Sequence, residues 1–112
     1  MLSFQKLDVY RCAIELVALV LEIIKDVPRG NAVIIDQLKR AALAVPLNIA
    51  EGAGRTSQAE AAHSYAIARG EAMESAAALD VLKLAKAVSE ERHHRACDLV
   101  ERLVAMLTKM CR

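Results

Sequence analysis

Val45-Pro46-Leu47-Asn48-Ile49-Ala50-Glu51-Gly52-Ala53-Gly54-Arg55 joins the two longest helical patterns of the chain and holds its most unusual residues. Pro46 falls inside an apolar repeat of Ile35, Leu38, Ala42, Val45 and Ile49, whose spacings mark one face of a helix. A proline there has no N–H to give to the carbonyl of Ala42, and its ring presses on that carbonyl. The cost is about 3 kcal/mol unless the helix accommodates it. The spacing therefore predicts a helix kinked at Pro46. Asn48 and Glu51, three residues apart, are expected to project from one side of it and to hold the kink through buried polar contacts. Gly52 and Gly54 are expected to supply the left-handed backbone that ends a helix. Pro46, Asn48, Glu51 and Gly52 are read as structural signature residues, with Gly70 further along the chain.

Before this stretch, the helical pattern extends back to Asn31, a candidate N-cap, and is preceded by the turn Asp26-Val27-Pro28-Arg29-Gly30. The first helix carries two apolar seams. Leu7, Tyr10, Ile14, Val17, Leu21 and Ile24 read as the buried one, and Val9, Ala13, Leu16, Val20, Ile23 and Val27 run beside them. In a four-helix bundle a helix hides about three of every seven residues, so the second seam predicts contact with another subunit.

After the central stretch, Ser57 and Glu60 fit a reciprocal capping box that opens a long third helix. Its face of Ala61, Tyr65, Ala68, Ala72, Ala76, Leu79 and Leu82 is flanked by Ala66, Gly70, Met73 and Ala77, with Gly70 expected at the closest helix contact. Ser89 caps a fourth helix whose first turn carries Glu90 and Glu91 and whose end carries Lys109 and Arg112, matching the helix dipole. The expected architecture is an all-α, antiparallel up-down-up-down four-helix bundle in one domain spanning 1–112. The helices are placed at about 6–26, 31–52, 57–87 and 89–111.

The chain has 112 residues, 55% of them hydrophobic, and a net charge of +1. That balance gives no general affinity for polyanions, so any nucleic-acid contact must come from local patches. No run approaches the roughly 20 apolar residues of a membrane span. Ala13 to Ile24, the nearest, is cut by Glu15 and Glu22 and lacks the flanks of a signal peptide. A cytoplasmic protein without membrane attachment is expected. Cys12, Cys97 and Cys111 have no CxxC spacing and read as reduced thiols in helices.

Three Glu-x-x-His pairs, Glu60 to His63, Glu90 to His93 and Glu91 to His94, have the spacing of carboxylate-bridged di-metal bundles. They open helices three and four, whose starts lie at opposite ends of an antiparallel pair, so these histidines read as solvated helix ends. No catalytic residue, cofactor or required metal is implied. Gly52-Ala53-Gly54 lacks the Lys-Ser/Thr of a phosphate loop. The cations nearest the central stretch are Lys39, Arg40, Arg55 and Arg69, with Tyr65 as the only aromatic partner. Taken alone they read as a solvated helix face, although an assembly would repeat the same charges around its surface.

Gln37-Leu38-Lys39-Arg40-Ala41-Ala42, the central Val45–Arg55 stretch, and Ala68-Arg69-Gly70 with Glu74 together resemble a known family. It is the bacterial four-helix-bundle family of proteins encoded by intervening sequences in 23S ribosomal RNA genes. The resemblance covers almost the whole chain, including Phe4, Leu7 and Tyr10. Glu71, where the family usually has Ser, and Val45 depart from the pattern. The resemblance implies an antiparallel bundle, commonly a homopentamer, with no enzymatic activity. A more distant and more basic relative, the accessory protein of diversity-generating retroelements, binds nucleic acid and a reverse transcriptase. The combined expectation is a non-enzymatic oligomeric adaptor that contacts RNA or DNA through Lys39, Arg40, Arg55 and Arg69. A protein-only scaffold is the alternative, and the expected partners are copies of itself, RNA or DNA, and a further protein.

Overall fold

Apolar residues recurring at helical spacing, with few breakers, fold into four α-helices and no strand. The structure is a computed structural model and describes residues 1–112. A 3-10 turn at Ser3–Lys6 leads into α1 (Asp8–Asp26), α2 (Ala32–Ala53), α3 (Gln58–Leu84) and α4 (Glu90–Met110). The molecule measures 44 × 23 × 20 Å. Connections over residues 27–31, 54–57 and 85–89 are too short to span its length, so packed successive helices run antiparallel. α2 packs most extensively on α3 and α3 on α4, while α1 closes the ring against α2 and α4. The backbones of the diagonal pairs stay apart, and side chains from all four helices fill the core between them.

The two seams of α1 exchange the roles expected of them. Val9, Ala13, Leu16, Val20 and Ile23 are buried in the bundle core, whereas the other seam leaves Ile14 43% and Leu21 41% exposed. Leu38, Val45 and Ile49 of α2, Leu79 and Leu82 of α3, and Leu103 and Leu107 of α4 complete the core and are fully buried. Each such side chain contributes about 1.5–3 kcal/mol relative to exposure. The seams differ in sequence by one register step, so periodicity alone could not rank them.

α2 runs unbroken through Pro46 to Ala53, and the proline itself is buried. Asn48 Nδ2 donates to the carbonyl of Ala44 at 2.8 Å, reaching the turn before it, while Glu51 points to solvent. The expected buried pairing of both residues across a kink is therefore corrected. Asn48 alone serves the helix backbone.

The glycines are also reassigned. Gly54 ends α2 in a right-handed conformation, φ −87°, and the only positive-φ glycine is Gly30. Gly52 is needed for space: a β-carbon there would fall 2.6 Å from Cε1 of Tyr65 on α3. Gly70, expected at a close helix contact, is exposed, and a β-carbon added there would meet nothing within 4 Å.

The ends of the helices follow local chemistry. Ser57 Oγ accepts from the Glu60 N–H at 3.1 Å, and Ser89 Oγ from the Arg92 N–H at 3.2 Å. The reciprocal half of the Ser57 box is absent, because the Glu60 carboxylate lies 3.6 Å from Arg55. Asn31 occupies the N-cap position of α2 but donates its amide to the Pro28 carbonyl instead of capping. α3 stops at Leu84 rather than near residue 87. There Lys86 adopts φ 57°, the Lys86 N–H bonds the Lys83 carbonyl and the Ala87 N–H bonds the Leu82 carbonyl. This is a Schellman turn with lysine where glycine is usual.

Candidate functional site

The four cations singled out in the sequence occupy different surroundings. Arg40 reaches from α2 to α3, placing Nη2 2.8 Å from Glu74 and Nη1 3.4 Å from Glu71. The bond to Glu74 raises the Arg40 pKa further, while burial pushes the Glu71 carboxyl above its ordinary range against the pull of Arg40. Arg55 bonds Glu51 at 2.5 Å and approaches Glu60 at 3.6 Å, bracketing the α2–α3 turn. Arg69 is half-buried, its Nε donating to Thr108 Oγ1 of α4 at 2.8 Å. Lys39 is exposed and forms no ion pair. Three of the four therefore tie the bundle together, and only Lys39 presents an uncommitted charge.

The exposed large apolar side chains form a second pattern. Ile14 and Leu21 lie on the outward margin of α1, and Leu43 and Leu47 on α2, its packed neighbour. Leu47 is 67% exposed. Along α3, the exposed face carries Ala66, Gly70, Met73, Ala77 and Leu84, at the 3.6-residue period. That is the small-residue stripe read from the sequence as flanking the core, and the single chain leaves it uncovered.

A third arrangement was not anticipated. His93 and Cys97, one turn apart on α4, meet Asp80 of α3, and their ligand atoms all lie within 4.8 Å of one another. His93 Nε2 is 2.8 Å from Asp80 Oδ1 and 3.6 Å from Cys97 Sγ, with Nδ1 at 3.9 Å from the sulfur. His93 retains 14% side-chain exposure, so it is not a solvated helix end; His94, 79% exposed and 3.7 Å from Asp98, is. Burial, followed by the charges of Asp80 and Glu101, raises the Cys97 pKa and keeps the thiol protonated. The sulfur lies at similar distances from both ring nitrogens rather than along one of them, which is not the arrangement of a nucleophile with its base. The i, i+4 spacing of His93 and Cys97 is visible in the sequence. Asp80 joins them only through the α3–α4 packing.

No helix of the protein is long and apolar enough to cross a membrane. Residues 5–109 match the family described as 23S rRNA-intervening sequence protein. Among solved structures, the chain is similar to a protein of unknown function from the S23 ribosomal protein family of Bacteroides thetaiotaomicron. The TM-score is 0.85 at 19% identity, covering 93% of this chain and 98% of that one. At that identity the likeness speaks for the fold. No curated protein matches.

Proposed function

We infer that this chain, which belongs to the 23S rRNA-intervening sequence protein family, is a cytoplasmic, non-enzymatic adaptor that works as a homo-oligomer. The observation that carries the reading is the exposed apolar surface of α1 and α2, Ile14, Leu21, Leu43 and Leu47, on helices that are otherwise well packed. The accessible surface of 6682 Å² exceeds the roughly 6,100 Å² expected of a monomer of this mass. A second copy is the occupant that fits, because a net charge of +1 sets up little repulsion between like chains. A pentamer is the proposed assembly. Leu47→Glu tests it: the variant should keep its helicity and lose mass in solution, whereas an unchanged assembly assigns the contact to another face.

A nucleic-acid role is retained as the second reading, on the exposure and freedom of Lys39 beside the 53%-exposed Arg40. Repetition of this pair around a ring would bring several weak phosphate contacts to one polyanion. Mobility of structured RNA and duplex DNA across a salt series tests this reading. Salt-sensitive retardation that weakens in Lys39→Glu supports it, and absence of retardation at low salt assigns the adaptor to protein partners alone.

A further inference from the structure

We propose that Asp80, His93 and Cys97 form a zinc site that clamps α3 to α4, with water as the fourth ligand. The donor set is a carboxylate oxygen, an imidazole nitrogen and a thiolate sulfur, all of which zinc accepts, and three protein ligands plus water is a common zinc arrangement. Calcium and magnesium take oxygen shells and do not suit a thiolate and an imidazole.

The donor atoms are gathered at nearly the separations the ion requires, and small side-chain rotations complete the fit. Bond lengths of about 2.3 Å to sulfur and about 2.05 Å to nitrogen, at a tetrahedral angle, put the two ligand atoms about 3.6 Å apart. Cys97 Sγ and His93 Nε2 are separated by 3.6 Å, but the sulfur is also 3.9 Å from Nδ1 and so lies off the Nε2 lone pair. The His93 ring turns about its side-chain bonds to aim Nε2 between Cys97 and Asp80 when the ion binds. The corresponding nitrogen-to-oxygen edge is about 3.3 Å, against 2.8 Å between His93 Nε2 and Asp80 Oδ1. Asp80 needs to withdraw by about half an ångström, and its 67% side-chain exposure leaves room for that movement. The surroundings also permit a water ligand: Asp80 and His93 line an open depression of about 560 Å³ with Lys83, Leu84 and Lys86.

Charge and protons balance. One carboxylate and one thiolate match the two positive charges of the ion. Binding displaces the Cys97 proton to solvent and requires His93 as a neutral imidazole with its Nε2 lone pair on the metal and its proton on Nδ1. Lys83 opposes the ion, while Asp98 and Glu101, both close enough to act on Cys97, favour it. The site runs against the expectation from spacing alone that no metal belongs in this chain. It differs from the di-metal motif considered there because it uses no glutamate and one histidine.

The test uses the reduced, untagged full chain stripped by chelator and titrated with Zn2+ alone against a chromophoric competitor. One ion per chain is expected, with a rise in thermal midpoint, and Co2+ in its place should show a thiolate-to-cobalt charge-transfer band. Cys97→Ala should abolish that band, and His93→Gln and the surface variant Asp80→Asn should each weaken Zn2+ binding at least tenfold at unchanged helicity. His94→Gln should leave binding as it is. Failure to bind one ion per chain overturns the proposal, as does binding that survives both Cys97→Ala and Asp80→Asn.

Discussion

The ring of Tyr65 occupies the space that a β-carbon on residue 52 would need, so that α2 and α3 meet at this point through glycine and an aromatic face. A β-carbon at Gly52 would sit 2.6 Å from Cε1 and 2.9 Å from Cδ1. Gly52→Ala forces the ring or the helix to move, at about 1–3 kcal/mol. Because the obstacle is a single side chain, Tyr65→Ala should recover part of that loss in the double variant. A double-mutant cycle by urea unfolding checks the coupling, and additive losses would show that the two residues do not compete for the same space.

Asn48 and Glu51 separate energetically. Asn48→Ala removes the 2.8 Å bond to the Ala44 carbonyl and should cost about 0.5–1.5 kcal/mol. Glu51→Ala loses only a half-exposed pair with Arg55, and a change of at most about 1 kcal/mol is expected. Equal losses in thermal unfolding would restore the idea that both residues hold the proline-bearing helix.

How much of this could be read in advance depends on whether the cause was local. The four helices and the Ser57 and Ser89 caps follow from spacing and from hydroxyl side chains within three residues of their donors. The neighbouring seams of α1 were separable only by knowing which face meets α2 and α4. Gly52 was recognised as special, yet its reason lies thirteen positions on, in a tyrosine that another helix brings against it. The same holds for the candidate sites. Arg40 and Arg69 look free in the sequence because Glu74 and Thr108 reach them across elements, and Asp80 reaches His93 in the same way, whereas the Arg55 partner Glu51 lies only four residues before it.

Lys86 carries a left-handed backbone, φ 57°, at the end of α3. That conformation costs an L-residue about 1 kcal/mol and costs glycine little. Lys86→Gly should therefore raise stability by up to about 1 kcal/mol, read as a higher denaturation midpoint. A loss would mean that the lysine side chain contributes more than its backbone costs.

Glu71 sets a weak pH dependence. Its folded-state carboxyl is raised from 4.5 chiefly by burial, with Arg40 opposing and Glu74 adding to the rise. The native state therefore holds this proton more tightly than the unfolded chain. The resulting stability is full below the unfolded value and is lost as pH rises through the folded one. Glu71→Gln should gain thermal midpoint relative to the native sequence as pH rises from about 4 to about 7. A relative loss over that range would make the Arg40 pair the stronger influence.

Assembly through the exposed faces of α1 and α2 is tested most directly by light scattering coupled to size exclusion at micromolar concentration. A single species with the mass of five 12.2 kDa chains is expected. A 12.2 kDa monomer throughout the concentration range contradicts the assembly, and would leave Ile14, Leu21, Leu43 and Leu47 as apolar surface that no second copy covers.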